Sequence, residues 1–238
     1  MKKLTLVLWL LPFHRAAAQT DSAAFGVAVA QFHRLLAPEN NLYNGGEYVD
    51  YASNLKSGIP YFGSKESYDG SVLYDGIRYD HLKLWYDLVY DEVVTVGSDG
   101  GFRLTLNSPR VASFTLGDRR FLRITKDDTH PVHTGFYELL YDGRVRLLRR
   151  TTKDIQELTT TEAVERYVET DSSYYLVKEG QYDPLYKKKS VLAALADKKK
   201  EIQVFIRKNK IDLKKDKDAA FIQIITYYDG LPHEEHAR

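Results

Sequence analysis

The sequence predicts an α+β protein: an antiparallel β-meander or barrel-like sheet with an N-terminal helix and two C-terminal helices. Three observations carry this. Across the middle of the chain, short apolar runs alternate with polar residues at period two, and Gly-, Asp- and Asn-containing turns separate them closely. At both ends the apolar period lengthens to that of a helix. No repeat of solenoid length and no low-complexity linker interrupts the chain, which favours one domain.

The N-terminus reads as an export signal. Lys2 and Lys3 form a positive start, residues 4–13 (LTLVLWLLPF) an apolar run, and Ala16-Ala17-Ala18 a small-residue cleavage pattern. Cleavage is expected between Ala18 and Gln19. The run is too short for a membrane-spanning helix, which takes about 20 apolar residues. The expected segments are residues 1–18 as signal peptide, 19–186 as an N-terminal helix with the β region, and 187–238 as a helical subregion packed on the same domain.

Each element then has a local reason. Asp21 or Ser22 caps a helix to about Leu36, with Phe25, Val29, Phe32 and Leu36 on one stripe, and Ala37-Pro38 ends it. Leu82, Leu84, Tyr86, Leu88 and Tyr90 alternate with Lys83, Trp85, Asp87 and Asp91, which predicts a half-buried strand with a solvent face. Phe102, Leu104 and Leu106 alternate again. Residues 111–116, 121–124, 136–140, 145–148, 164–170 and 174–178 read as further strands, with Tyr141-Asp142-Gly143 as a hairpin turn. Val191, Leu195, Ile202 and Phe205 lie on one helical stripe that Lys198 interrupts, with Ser190 as N-cap. Residues 218–228 form the last helix, with Gly230 as its C′ residue.

Composition narrows the functional classes. There is no cysteine, so a disulfide framework and a lipid-modified N-terminal cysteine are both excluded. Without Lys2, Lys3 and Arg15 the chain carries 31 basic and 33 acidic residues, a balance that argues against nucleic-acid binding. No later segment is apolar enough for a transmembrane helix. The charge is uneven: residues 39–96 hold ten acidic and four basic residues, and residues 187–217 hold four acidic and twelve basic.

Tyr-Asp pairs recur, and nine of the eighteen tyrosines fall between Tyr43 and Tyr90. Where Gly follows (Tyr68-Asp69-Gly70, Tyr74-Asp75-Gly76), the pair reads as a strand end and turn. Within the strand, alternation puts Trp85, Asp87, Asp91 and Lys83 on the polar face. An exposed ring among carboxylates suits a sugar, so these four residues are the candidate ligand-binding set. As a catalytic pair, Asp87 and Asp91 show only ordinary strand spacing.

Other motifs lack context. Ser53-Asn54-Leu55-Lys56 matches S-x-x-K, but Gly58-Ile59-Pro60 follows where a long helix should run. His130-Pro131-Val132-His133 and His233-Glu234-Glu235-His236 do not have the spacing of a zinc helix. No cofactor, metal or catalytic residue is predicted.

Residues 42–51 (LYNGGEYVDY), 58–62 (GIPYF), 70–94 and the tail from Tyr174 to Leu231 resemble a family of exported, Tyr-Asp-rich proteins of unknown function from outer-membrane-bearing bacteria. The resemblance covers most of the mature chain. It implies export and one shared architecture, and it assigns no residue a role. The expectation is an exported envelope protein, periplasmic or secreted, that binds or scaffolds. Its partner would be an envelope glycan or another envelope protein. The alternatives are a glycan-directed hydrolase using strand carboxylates and an accessory subunit of an outer-membrane assembly.

Overall fold

The computed structural model describes residues 41–97, 100–127 and 132–232. The predicted signal peptide, the predicted helix at residues 21–36 and the histidines of the tail lie outside these residues.

Ten strands form one antiparallel sheet among the described residues: β1 (Tyr68–Tyr74), β2 (Ile77–Asp87), β3 (Glu92–Val96), β4 (Arg103–Thr105), β5 (Val111–Leu116), β6 (Arg119–Ile124), β7 (Gly135–Asp142), β8 (Arg146–Thr159), β9 (Val164–Lys178) and β10 (Gln181–Leu185). Their order is β10-β9-β8-β7-β6-β5-β1-β2-β3-β4. The sheet is open, with β4 and β10 as edges, so the barrel alternative is set aside. It is a meander with one return, from β4 back to the free edge of β1.

That return shows that the sheet is rolled. In a flat sheet, β4 and β5 would lie four strand spacings apart, roughly 19 Å at about 4.8 Å each. Six residue steps reach at most about 21 Å fully extended, and a 3₁₀ turn at Ser108–Arg110 shortens the path. Register shifts at Gly70/Val72, Leu73/Tyr74 and Leu139/Tyr141 supply the coiling. The inside of the roll is aromatic. Phe114 stacks on Phe121 at 4.6 Å, and Tyr86 meets Phe114, Phe121 and Phe136 edge-on.

Three helices, α1 (Lys188–Ala194), α2 (Lys199–Lys208) and α3 (Lys217–Asp229), pack on the other part of the sheet. Val191, Leu195, Ile202, Phe221, Ile224 and Ile225 cover Leu147, Leu176 and Leu185. The apolar stripe breaks at Lys198, and so does the helix: a 3₁₀ turn, Ala196–Lys198, separates α1 from α2. Asp216 caps α3 by accepting from Ala219 N at 3.0 Å. Carboxylates also bind helix to sheet. Tyr174 donates to Asp218 at 2.7 Å, and Arg149 pairs with both Asp218 and the buried Glu138. No described helix is long and apolar enough to cross a membrane.

Beyond Arg149 and Tyr174, β8 and β9 leave their neighbours behind. Residues 150–159 and 164–173 run on as a two-stranded ribbon, roughly 33 Å long at about 3.3 Å per residue. The segment around Ser57 lies against it: Lys56 N donates to Arg166 O at 2.8 Å, and Val168 N to Ser57 O at 3.1 Å.

Several expectations need correction. The strand predicted to reach Asp91 ends at Asp87, and residues 88–91 are a turn closed by Asp91 at φ +57°. Tyr68-Asp69-Gly70 is not a turn but the start of β1. Residues 164–170 and 174–178 are one strand. Ser190 is the third residue of α1, not its cap; its Oγ accepts from Tyr186 N and Lys187 N at 2.9 and 3.1 Å. Gly230 follows α3 with φ −78°, so no left-handed residue closes that helix.

Candidate ligand-binding site

Alternation in the second half of β2 is real, but from Leu84 to Asp87 both faces are covered. Leu84, Tyr86 and Leu88 point into the aromatic roll. Trp85 points the other way, into a second cluster with Tyr48, Ala52, Tyr61 and Val94. The loop carrying Tyr48, Tyr51 and Tyr61 lies over the face that the sequence assigned to solvent.

Asp87 is therefore enclosed, with no exposed surface. Its Oδ2 accepts from the Tyr48 hydroxyl at 2.7 Å and the Tyr51 hydroxyl at 2.8 Å. Its Oδ1 accepts from Val89 N at 2.8 Å and Tyr90 N at 3.2 Å, which pins the β2–β3 turn. A carboxylate has about four acceptor sites, and all are in use. Nearby, the Lys153 ammonium donates to Ile59 O and Tyr61 O at 2.8 and 2.7 Å. Burial lowers its pKa, and the charge of Asp87 works against that.

The other predicted site residues are also engaged. Trp85 is 8% exposed; its Nε1 donates to Lys65 O at 2.9 Å, and the Arg103 guanidinium lies 4.1 Å over its ring. Asp91 accepts from Tyr86 Oη at 2.6 Å and from Phe136 N at 3.4 Å, on the inner side of the sheet. Lys83 is exposed and pairs with its cross-strand neighbour Asp69 at 2.8 Å. The four residues do not form one open surface. The expected solvent face is overturned because a loop without periodicity supplies a second cover over Trp85 and Asp87.

Beside this cluster is a groove of about 790 Å³, formed by the 44–51 segment, the β2–β3 turn and the 105–109 return. Tyr51, Tyr90, Glu47, Glu92, Asn44 and Asn107 are among its lining residues, and no Lys or Arg is. Tyr90, expected on the buried face, is 60% exposed, and its ring meets Tyr51 edge-on at 5.4 Å. Asp87 holds the inner end of Tyr51 and the backbone of Tyr90, so it sets the position of both rings without touching the groove's contents.

Glu92 pairs with Asp87 across the ladder and faces the groove. Its carboxyl pKa is raised, first by burial and then by the charge of Asp87; a hydrogen bond with Thr105 acts against this. The phenols are raised too, chiefly by burial: Tyr48 and Tyr51 well above the usual tyrosine value, Tyr61 to about 12. Near neutral pH they are uncharged donors.

Sequence reasoning missed Glu92 and the 44–51 wall. The available signal was Asn44-Gly45-Gly46. A Cβ on Gly45 would stand 1.7 Å from Thr105 O, so only glycine lets this segment lie against β4 and close the groove. Among the described residues, no group of three or more His, Asp or Glu side chains is placed to hold a metal. No family model, no curated protein and no solved structure matches the chain.

Proposed function

We propose that this is an exported, non-catalytic binding protein whose groove takes a neutral, hydroxyl-rich glycan of the cell envelope. One observation carries the reading: an exposed Tyr90 stands edge-on to Tyr51 in a groove with carboxylate and amide side chains and no cation among its lining residues. An aromatic face covers the apolar side of a sugar, while carboxylate and amide oxygens accept from its hydroxyls. An anionic polymer would find no counter-charge there. Export is proposed from the pattern of residues 1–18 and from the resemblance to exported proteins.

The test is affinity measurement against a panel of neutral and acidic oligosaccharides. Binding of a neutral member, weakened about tenfold by Tyr90→Ala with an unchanged melting temperature, supports the reading. Binding of no member, or a preference for acidic ones, contradicts it.

A second reading is a glycoside hydrolase. It is favoured by Glu92, a carboxyl with a raised pKa in the same groove as Glu47. Release of reducing ends that Glu92→Gln abolishes, with binding retained, selects it. Asp87 is no candidate for either role, since its acceptor sites are filled inside the protein.

A further inference from the structure

The basic stretch of residues 187–217 builds a different surface. None of its twelve Lys and Arg side chains has an ion pair among the described residues. Its carboxylates are largely committed elsewhere. Asp197 is held by Lys178 and the Tyr228 hydroxyl, Asp216 caps α3, and Asp212 accepts from Lys214 N.

The cations frame an apolar floor. Between α1 and α2 lies a groove of about 530 Å³, lined by Lys188, Lys189, Leu192, Ala193, Lys199 and Gln203. On α2, Val204 is 52% exposed, one turn from Lys200 and one turn from Lys208. Ile202 and Ile206 face the core on the opposite side of the same helix. The outward face therefore sets cations beside the exposed Ala193 and Val204, while Leu192 at the bottom of the groove belongs to the core.

We propose that this α1–α2 face docks on an anionic lipid surface, the lysines meeting phosphate headgroups and the exposed Ala193 and Val204 meeting the acyl boundary. Charge complementarity selects an anionic partner. The exposed Val204 and Ala193 select a lipid over an acidic polysaccharide, which would gain nothing from them. This proposal does not depend on the glycan groove, which lies in a different part of the chain and lacks cations.

The test is cosedimentation of the protein with vesicles of phosphatidylcholine and phosphatidylglycerol at 3:1, against vesicles of phosphatidylcholine alone. Binding is expected only to the former and should fall steeply with added salt. Each cation near such a surface contributes roughly fivefold in partitioning, so Lys188→Glu, Lys189→Glu and Lys199→Glu together should reduce it at least about a hundredfold. Val204→Ser, at an exposed position, should fold normally and reduce binding severalfold. Equal binding to both vesicles, no binding to either, or an unaltered triple variant would overturn the proposal. So would sedimentation without vesicles, which indicates self-association, and binding to soluble alginate with no effect of Val204→Ser, which indicates an acidic polymer.

Discussion

The carboxylate of Asp87 and the phenol of Tyr48 meet at 2.7 Å in the interior, with the carboxylate fully enclosed. This contact joins the end of β2 to a loop 39 residues upstream. With Tyr51 on the same oxygen, it sets one wall of the candidate glycan groove.

Removing that carboxylate should therefore unfold more than a surface charge would. Asp87→Ala leaves two phenols and two backbone donors without their acceptor. The expected loss is about 3–5 kcal/mol, the range for breaking a buried charged network. Urea denaturation measures it, and an unshifted midpoint would refute the enclosed position.

Alkaline pH should weaken the same cluster. The folded state raises the pKa of Tyr61 from 10.0 to about 12, mainly because burial disfavours the phenolate. The stabilisation is complete below the unfolded value and is lost as pH climbs through the folded one. Each such phenol contributes a slope of about 1.4 kcal/mol per pH unit in that window. The urea midpoint should fall between pH 10 and 12, and Tyr61→Phe should flatten the fall.

Glu92 has the opposite consequence at neutral pH. Its raised pKa means that the folded protein holds an unfavourable charge once the carboxyl ionises. Stability from this group is full below its ordinary value of 4.5 and declines as pH rises through the folded pKa. Glu92→Gln should raise the urea midpoint at pH 7, with the gain disappearing below pH 4.5. A destabilised variant at pH 7 would show that the carboxylate is paired rather than penalised.

The helices depend on another enclosed carboxylate. Glu138, 4% exposed, accepts from Arg119 at 2.5 Å and from Arg149, which also reaches Asp218 next to the start of α3. Glu138→Ala should cost up to about 3–5 kcal/mol by taking the buried partner from Arg149, which keeps only Asp218, and Glu138→Ala with Arg149→Met should cost less than the two singly. Strict additivity in the double-mutant cycle would count against this network.

Much of the architecture can be read from the chain. Period two separates Leu84, Tyr86 and Leu88 from Trp85 and Asp87 correctly, and Asp75-Gly76 turns with φ +49° and +77° as such a pair should. The stripe of α2 and α3 is clear because their buried residues are apolar and recur at three- and four-residue spacing. Alternation cannot say what covers the second face, and here the cover is three tyrosines in a loop without a period. The β8 half of the ribbon is hidden for a related reason. Asp154, Gln156 and Glu157 pair through their backbones with exposed side chains, so no apolar rhythm marks them. The groove depends on contacts between distant segments, Gly45 against Thr105 and Tyr51 against Tyr90, and neither is written in local spacing.

The most direct measurement is amide chemical-shift mapping of the folded protein during titration with the neutral oligosaccharide that binds best. The account predicts saturable shifts concentrated at Tyr51, Tyr90, Glu92 and Asn107, with saturation moved to about tenfold higher ligand in Tyr90→Ala. Shifts confined to other parts of the sheet, or unchanged by that substitution, would contradict it.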